Sequence, residues 1–336
     1  MGAFFYPLAS IDAVSIWLLK AKAFYLGHGN LPLDVLKDNL YLNTHPQYPL
    51  LVPFIFYTFY LLLGGINEQI IAFANPLFYM SILFVAYKVF RKMDFNQTLS
   101  LLFTYIYSML SPLLAQGGRK HSGDADIFIV FLNWTAIFLT LNFVKTKSNK
   151  ILSLIVFLIM VASQVKGEGI FLVSLLFFLP IKRNVKLLAI LISFTPFLIW
   201  RLVIFKYGIP NDFYFFIPSL GEIFIRTFNI FYYTLKEMLK INNWYIFWPI
   251  FLVFLVFIRS KNDFVKKIIT RSLFVYSFLF FCFYLLSSSP PEIYIPPSMD
   301  RILLQLSPFY FLIFADLAKT NLTNSFLNKI IKFTLK

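Results

Sequence analysis

Charge is scarce in this chain. Only 13% of the 336 residues are charged, against 59% hydrophobic and 20% aromatic, whereas a soluble domain carries about 25% charge. That shortage excludes a sizeable water-soluble domain and puts most of the chain in lipid. Cysteine is almost missing: Cys282, inside an apolar run, is the only one. Neither a disulfide framework nor a cysteine-built metal site can be assembled from it. The three histidines, His28, His45 and His121, are scattered and show no metal-ligand spacing. Alternation of apolar and polar residues, which barrel strands would require, is absent from the apolar runs. The expected fold is therefore all-α, a polytopic transmembrane helical bundle. The opening MGAFFYPLASID has no charged n-region and no long apolar core, so it reads as neither a signal peptide nor a spanning helix. No repeat of solenoid length and no low-complexity linker divides the chain, so one integrated domain is expected.

What is present is a series of apolar runs at about 69–90, 97–115, 124–144, 150–165, 168–181, 185–206, 244–258, 268–286 and 300–319. At ~20 residues per crossing these predict about nine spans. Every second loop is basic: Arg91-Lys92; Lys145, Lys147 and Lys150; Lys182, Arg183 and Lys186; the loop from Arg259 to Arg271; and the tail beyond Lys319. Cytoplasmic loops accumulate Lys and Arg. Placing these loops inside with Lys88 and Lys319 gives 18 Lys/Arg against Asp94, Asp263 and Asp316, which puts the whole formal charge of +15 on the inner face and leaves the remainder balanced. That distribution is a topology signal and argues against a nucleic-acid partner. Residues 1–68 then form an outer-face loop, 69–319 the bundle and 320–336 a cytoplasmic tail. The run 49–63, short and carrying Pro49 and Pro53, reads as an interfacial helix with Tyr48, Tyr57 and Tyr60 near the headgroups.

The residues able to do chemistry fall on the predicted outer face. Asp12 precedes an amphipathic stretch with the aromatic and lysine pattern of a surface helix; it can cap that helix, act as a base, or do both. His45 lies in the proline-rich segment His45-Pro46-Gln47-Tyr48-Pro49, either as a solvated loop residue or as a binding group. The densest polar stretch runs from Gly117 to Asp126. Within it Arg119 and Lys120 offer charge for a phosphate, while Asp124 and Asp126 either stabilise a helix N-terminus or serve a ligand. This Asp-x-Asp pair is also the one candidate for a divalent metal, with no third ligand evident. Lys166-Gly167-Glu168-Gly169 joins two apolar runs of only ~16 and ~14 residues, which reach ~21–24 Å across a ~30 Å core. The turn should be recessed, with Lys166 and Glu168 paired or binding a ligand. Arg301, beside Asp300 at the head of the last run, either snorkels to the interface or binds.

At these residues the chain resembles the polytopic glycosyltransferases of the C superfamily, in particular the dolichyl- or polyprenyl-phosphate-mannose mannosyltransferase type. The matching stretches are Asp12-Ala13 to Trp17 to Lys20-Ala21-Lys22, His45-Pro46-Gln47-Tyr48-Pro49-Leu50-Leu51, Gly123-Asp124-Ala125-Asp126, Lys166-Gly167-Glu168-Gly169, Trp200 to Asp212, and Asp300-Arg301 to Gln305. They span nearly the whole chain in order. The resemblance implies an integral protein of the cell membrane with its site on the extracytoplasmic face. It also implies a polyprenyl-phosphate sugar donor, an acceptor glycan, lipid or protein, and Asp12 as the base. His45, Arg119, Lys120, Asp124, Asp126, Lys166, Glu168 and Arg301 are the substrate-binding candidates. The 44 phenylalanines offer apolar grooves for the lipid chain, and beyond the candidate metal no cofactor is implied. Such enzymes begin with a cytoplasmic N-terminus and a spanning helix ahead of this loop, which this sequence lacks, so a missing upstream segment is expected.

The rival reading is a transporter or flippase for a lipid-linked or anionic solute. Such proteins place their polar groups in interrupted helices near the midplane, and here the charges cluster toward one face. Polymerisation or ligation of polysaccharide would share the lipid-linked donor but calls for other loop signatures.

Overall fold

The computed structural model describes residues 10–119, 123–211, 214–257 and 262–321. Lys120 and His121, Asp212, the first nine residues and the tail from 322 onward lie outside these. Among the described residues the protein is all-α, with one isolated bridge between Phe215 and Ser287 as its only extended pairing. In chain order, a π-helical turn Ala13–Leu18 leads into α1 (Leu19–Leu26). There follow α2 (Leu51–Leu63), α3 (Ala74–Lys92), α4 (Gln97–Ser108), α5 (Ser111–Leu114), α6 (Asp126–Thr146), α7 (Asn149–Val165) and α8 (Ser174–Phe178). Further on come α9 (Arg183–Tyr207), α10 (Leu220–Met238), α11 (Phe247–Phe257), α12 (Thr270–Leu285) and α13 (Met299–Asn321), with short helical turns between some of these elements.

Each of the nine apolar runs coincides with helix, yet the count of nine spans is not reached by length and apolarity. Four helices qualify: Asp126–Thr146, Arg183–Tyr207, Val265–Leu285 and Met299–Thr320. A fifth is added if Gln97–Ser108 and Ser111–Gly118, bent by 73° at their junction, make one crossing. The bend has a cause in Pro112, which sits at the start of α5 and cannot continue the hydrogen bonding of α4. Leu51–Leu63, Asn149–Val165, Gly167–Phe178 and Phe247–Val256 are apolar but shorter than a crossing needs.

α6 is the axis of the bundle. It is buried nearly all round and packs against α3, α7 and α13. Because lipid tails are as apolar as leucine, close packing and interhelical hydrogen bonds hold such helices together. Phe90, Tyr107, Trp134 and Phe311 interlock at ring separations of 5.0–6.3 Å, edge to face except for the tilted Phe90–Phe311 pair. Asn133 donates to the Gln305 carbonyl oxygen at 2.7 Å, and the Tyr107 and Ser307 hydroxyls meet at 2.7 Å. α9, in contrast, exposes Leu198, Ile199, Leu202 and Phe205, the surface of a helix at the lipid boundary.

The two ends of the bundle differ. At one, Lys145 from the end of α6 donates to the Lys92 carbonyl oxygen at 3.4 Å, and Lys319 near the end of α13 donates to those of Met93 and Asp94 at 2.9 Å. The opposite end holds the start of α6, the end of α7 and the start of α13. α10 lies across this second end. Its contacts are with Ser287, Ser289, Glu292 and Met299, all near the end of α12 or the start of α13. A capping box between Ser219 and Glu222 starts it.

Candidate functional site

Gly123 takes a positive φ of 97°, which turns the chain so that Asp124 and then Asp126 enter the bundle where α6 begins. Both are buried, at 3% and 1% exposure. The Asp126 carboxylate accepts from Lys166 Nζ at 2.9 Å, from Gln305 Nε2 at 2.6 Å and from Gln116 Nε2 at 3.4 Å. Asp124 accepts from the Ser10 hydroxyl. Burial, with the nearby Asp126 and Asp12 charges adding, pushes the Asp124 carboxyl up to about 7, against the pull of the Ser10 hydrogen bond and Arg301.

Lys166 ends α7 in an extended conformation and lies at the centre of a charge relay, with Asp126 on one side and Glu168 at 3.0 Å on the other. The turn that presents it is tight. A Cβ on Gly169 would stand 2.1 Å from the Ala162 carbonyl oxygen, so only glycine lets the 3₁₀ turn Gly167–Val173 fold back on α7. Arg301, in the first turn of α13, pairs with the Asp12 carboxylate through Nη1 and lies within electrostatic reach of Asp126 and Asp124 as well. Asp12 does not cap the following helix: it already has helical φ and ψ in the first turn and its side chain makes no capping hydrogen bond, while the Ser10 hydroxyl accepts from the Ala13 N–H at 3.5 Å.

Two cavities flank this cluster. One, of about 750 Å³, is lined by Ser10, Asp12, Gln116, Asp124, Asn242, Asn243, Asp300 and Arg301, and is rich in groups that hydrogen-bond. The other, of about 520 Å³, is walled by Phe171, Phe197, Phe215, Phe283 and Tyr294, with Glu168, His45, Arg201, Gln47, Asn211 and Ser289 as its polar features. His45 borders it through a ring stacked on Tyr48 at 4.8 Å. The segment is fixed by Lys20, which donates to the His45 carbonyl oxygen at 2.6 Å, and by the Trp200 indole, which donates to that of Gln47 at 2.8 Å.

The structure thus gathers Asp12, Asp124, Asp126, Lys166, Glu168 and Arg301 into one cluster and sets His45 at its apolar side. Lys120 lies outside the described residues, as does the side chain of Arg119. Among the described residues no three His, Cys, Asp or Glu side chains converge on a metal position. Asp126, moreover, faces an ammonium and two amide donors, a poor companion for a cation, so the Asp124–Asp126 pair does not fit a divalent metal. Sequence reasoning passed over Arg201, Gln116 and Ser10. Arg201 carried a signal, being the one charge in the interior of the apolar run 185–206, between Lys186 and Lys206 near its ends; Ser10 and Gln116 carried none. Set against family models, curated proteins and solved structures, the chain matches none of them.

Proposed function

We propose that the protein is a membrane glycosyltransferase that moves a sugar from a polyprenyl-phosphate donor to an acceptor hydroxyl on the extracytoplasmic side of the cell membrane. The observation that carries this reading is the Asp12–Arg301 pair: a carboxylate and a guanidinium at the edge of a polar cavity, with a largely apolar cavity on the far side of the same charged cluster. An acceptor rich in hydroxyls fits the first space and a lipid-linked donor the second. In this reading the short helices count as crossings too, giving about nine, with the basic end of the bundle inside.

In the reaction the bond from the anomeric carbon to the phosphate oxygen breaks, and its electron pair leaves with the lipid phosphate. The acceptor oxygen forms the new bond and its proton passes to Asp12. Charge is rearranged in a useful way. Until that moment Arg301 is balanced by the Asp12 carboxylate; once Asp12 is protonated, the guanidinium is released to face the negative charge growing on the phosphate. Stabilisation thus arises in the transition state rather than in the bound substrate.

The test is transfer by purified protein, in detergent and without any gradient, from a polyprenyl-phosphate sugar. Asp12→Asn should lower turnover by at least ~10²-fold, the lower range for general base catalysis, with donor binding retained. Turnover near that of the wild type would exclude Asp12 as the base.

One observation favours the transporter reading. Asn133 and Thr140, both buried, continue inward along α6 from Asp126, one heptad apart, and Asp316 is buried near the other end of α13. A proton-coupled carrier would use such a line. Movement of a lipid-linked substrate that needs a proton gradient, with no transfer product, would establish it.

A further inference from the structure

α10 is amphipathic the wrong way round for water. Its apolar stripe, Leu220, Phe224, Phe228, Phe231 and Leu235, follows helical spacing, and these five side chains are between 51% and 87% exposed. The opposite side, where Ile230 is buried, packs on the protein and carries the polar groups. Arg226 donates to the Ser287 carbonyl oxygen at 2.7 Å, and Asn229 donates to the Glu292 carboxylate. Glu237, buried, accepts from Asn243 at 2.7 Å and from the Trp244 indole at 3.2 Å. A surface helix in water does the reverse, with its apolar stripe on the core and its polar side outward. The exposed charges of α10, Glu222 and Lys236, stand in its first and last turns and off the stripe. An outward face of this kind calls for an apolar surrounding.

The neighbouring surface says which one. The Phe231 ring lies 6.0 Å from that of Phe281 on α12, and Phe281 stacks on Phe278 at 6.4 Å. Phe278, with Phe274 one turn earlier, is exposed on Val265–Leu285, a helix long and apolar enough to cross a membrane. The stripe of α10 thus joins, ring to ring, the flank that a crossing α12 turns to acyl chains. Hydrocarbon covers both at once, whereas a partner seated on α10 alone would cover only half of a continuous surface. We propose that α10 is immersed in the leaflet at its end of the bundle, with its outward face against lipid acyl chains. A helical backbone satisfies its own polar groups there, and Lys236 reaches the headgroups from the last turn. The placement does not depend on the glycosyltransferase reading. It has a consequence for the polar cavity: α10 leads into the short helix Ile241–Trp244, whose Asn242 and Asn243 line that cavity, so the membrane holds one wall of it through Glu237.

The test is spin labelling of the full chain, carrying Cys282→Ser, in phosphatidylcholine vesicles. Nitroxides at Phe224→Cys, Phe228→Cys and Leu235→Cys are compared with one at Phe278→Cys on α12 and one at Lys147→Cys in a basic loop. Each is relaxed by oxygen, which collects in hydrocarbon, or by a neutral nickel chelate, which the cost of losing its water keeps outside. The ratio of oxygen to chelate collisions at the three α10 positions should match that at Phe278→Cys and exceed that at Lys147→Cys by about tenfold or more. Melting temperatures report whether each protein is folded, and three positions keep the result from resting on one variant. A ratio on α10 like that at Lys147→Cys overturns the proposal, because the stripe then meets water. Protection from both reagents overturns it too, being the sign of a second copy or another protein on the stripe. If Phe278→Cys itself gives the ratio of a watery site, the flank that α10 joins is not in lipid and the proposal falls with it.

Discussion

Burial holds the Asp124 carboxyl up at about 7, so the folded protein keeps a proton there that the unfolded chain releases near its ordinary carboxylate value. The sign of the pH dependence follows. The contribution to stability is fully present below the unfolded value and is lost as the pH rises through about 7. Between pH 5 and pH 7, at ~1.4 kcal/mol per unit, the wild type should lose about 2–3 kcal/mol from this group. Asp124→Asn, which cannot ionise, should show a correspondingly flatter profile in detergent melts at those two pH values; parallel profiles would show that Asp124 is ionised throughout. Asp124 was visible in the sequence as half of an Asp-x-Asp pair, but the two acids looked equivalent there. What separates them is partners 10, 40, 114 and 179 residues away along the chain, a fact of the fold that local spacing does not contain.

The turn after α7 makes the same point at the level of elements. Two short apolar runs led to the expectation of a Lys-Gly-Glu-Gly turn recessed in the membrane; what the structure has is Lys166 buried within the protein, at 7% exposure. A pairing of Lys166 with Glu168 could be read from their two-residue separation; the Asp126 partner could not. The third group changes the expected behaviour of variants. Lys166→Met leaves two poorly solvated acids and should destabilise the fold by about 3–5 kcal/mol. Adding Glu168→Gln alone should recover little of that, because Asp126 stays buried and loses its cation. Adding Asp126→Asn should recover most of it. Melting temperatures of the three proteins decide the matter, and full rescue by Glu168→Gln would mean that the Asp126 contact contributes nothing. α10 was the element least legible in the sequence. Its charged residues, Glu222, Arg226, Lys236 and Glu237, leave it between the apolar runs 185–206 and 244–258 and in neither, although the Ser219–Glu222 box and the apolar spacing of Leu220, Phe224, Phe228, Phe231 and Leu235 mark an amphipathic helix.

For the molecule as a whole, composition gave the all-α class directly, because backbone polar groups in lipid must be satisfied within each segment. The number of crossings was harder to read, since hydropathy alone does not distinguish a full span from a short helix packed inside the bundle. Sidedness is open to a direct test. In a Cys282→Ser background, Glu292→Cys should react with a membrane-impermeant thiol reagent added outside, while Lys147→Cys should react only after the membrane is opened. The reverse pattern would turn the site toward the cytoplasm and remove the extracytoplasmic part of the proposed function.

In the proposed function, where the short helices count as crossings, the pair that carries Lys166 also acts on the bilayer. α7 has 17 residues, about 26 Å of helix, where the hydrocarbon is ~30 Å thick. A hydrophobic surface shorter than its surroundings draws the membrane thin beside it, at a cost of fractions of a kcal/mol per Å. In that reading headgroups along the flank ride lower than elsewhere, and a lipid-linked donor diffusing in the plane descends toward the charged cluster without leaving its leaflet. Membrane thickness thereby becomes a control on the site: a thicker bilayer resists the dimple, and the same protein becomes harder for its lipid to reach.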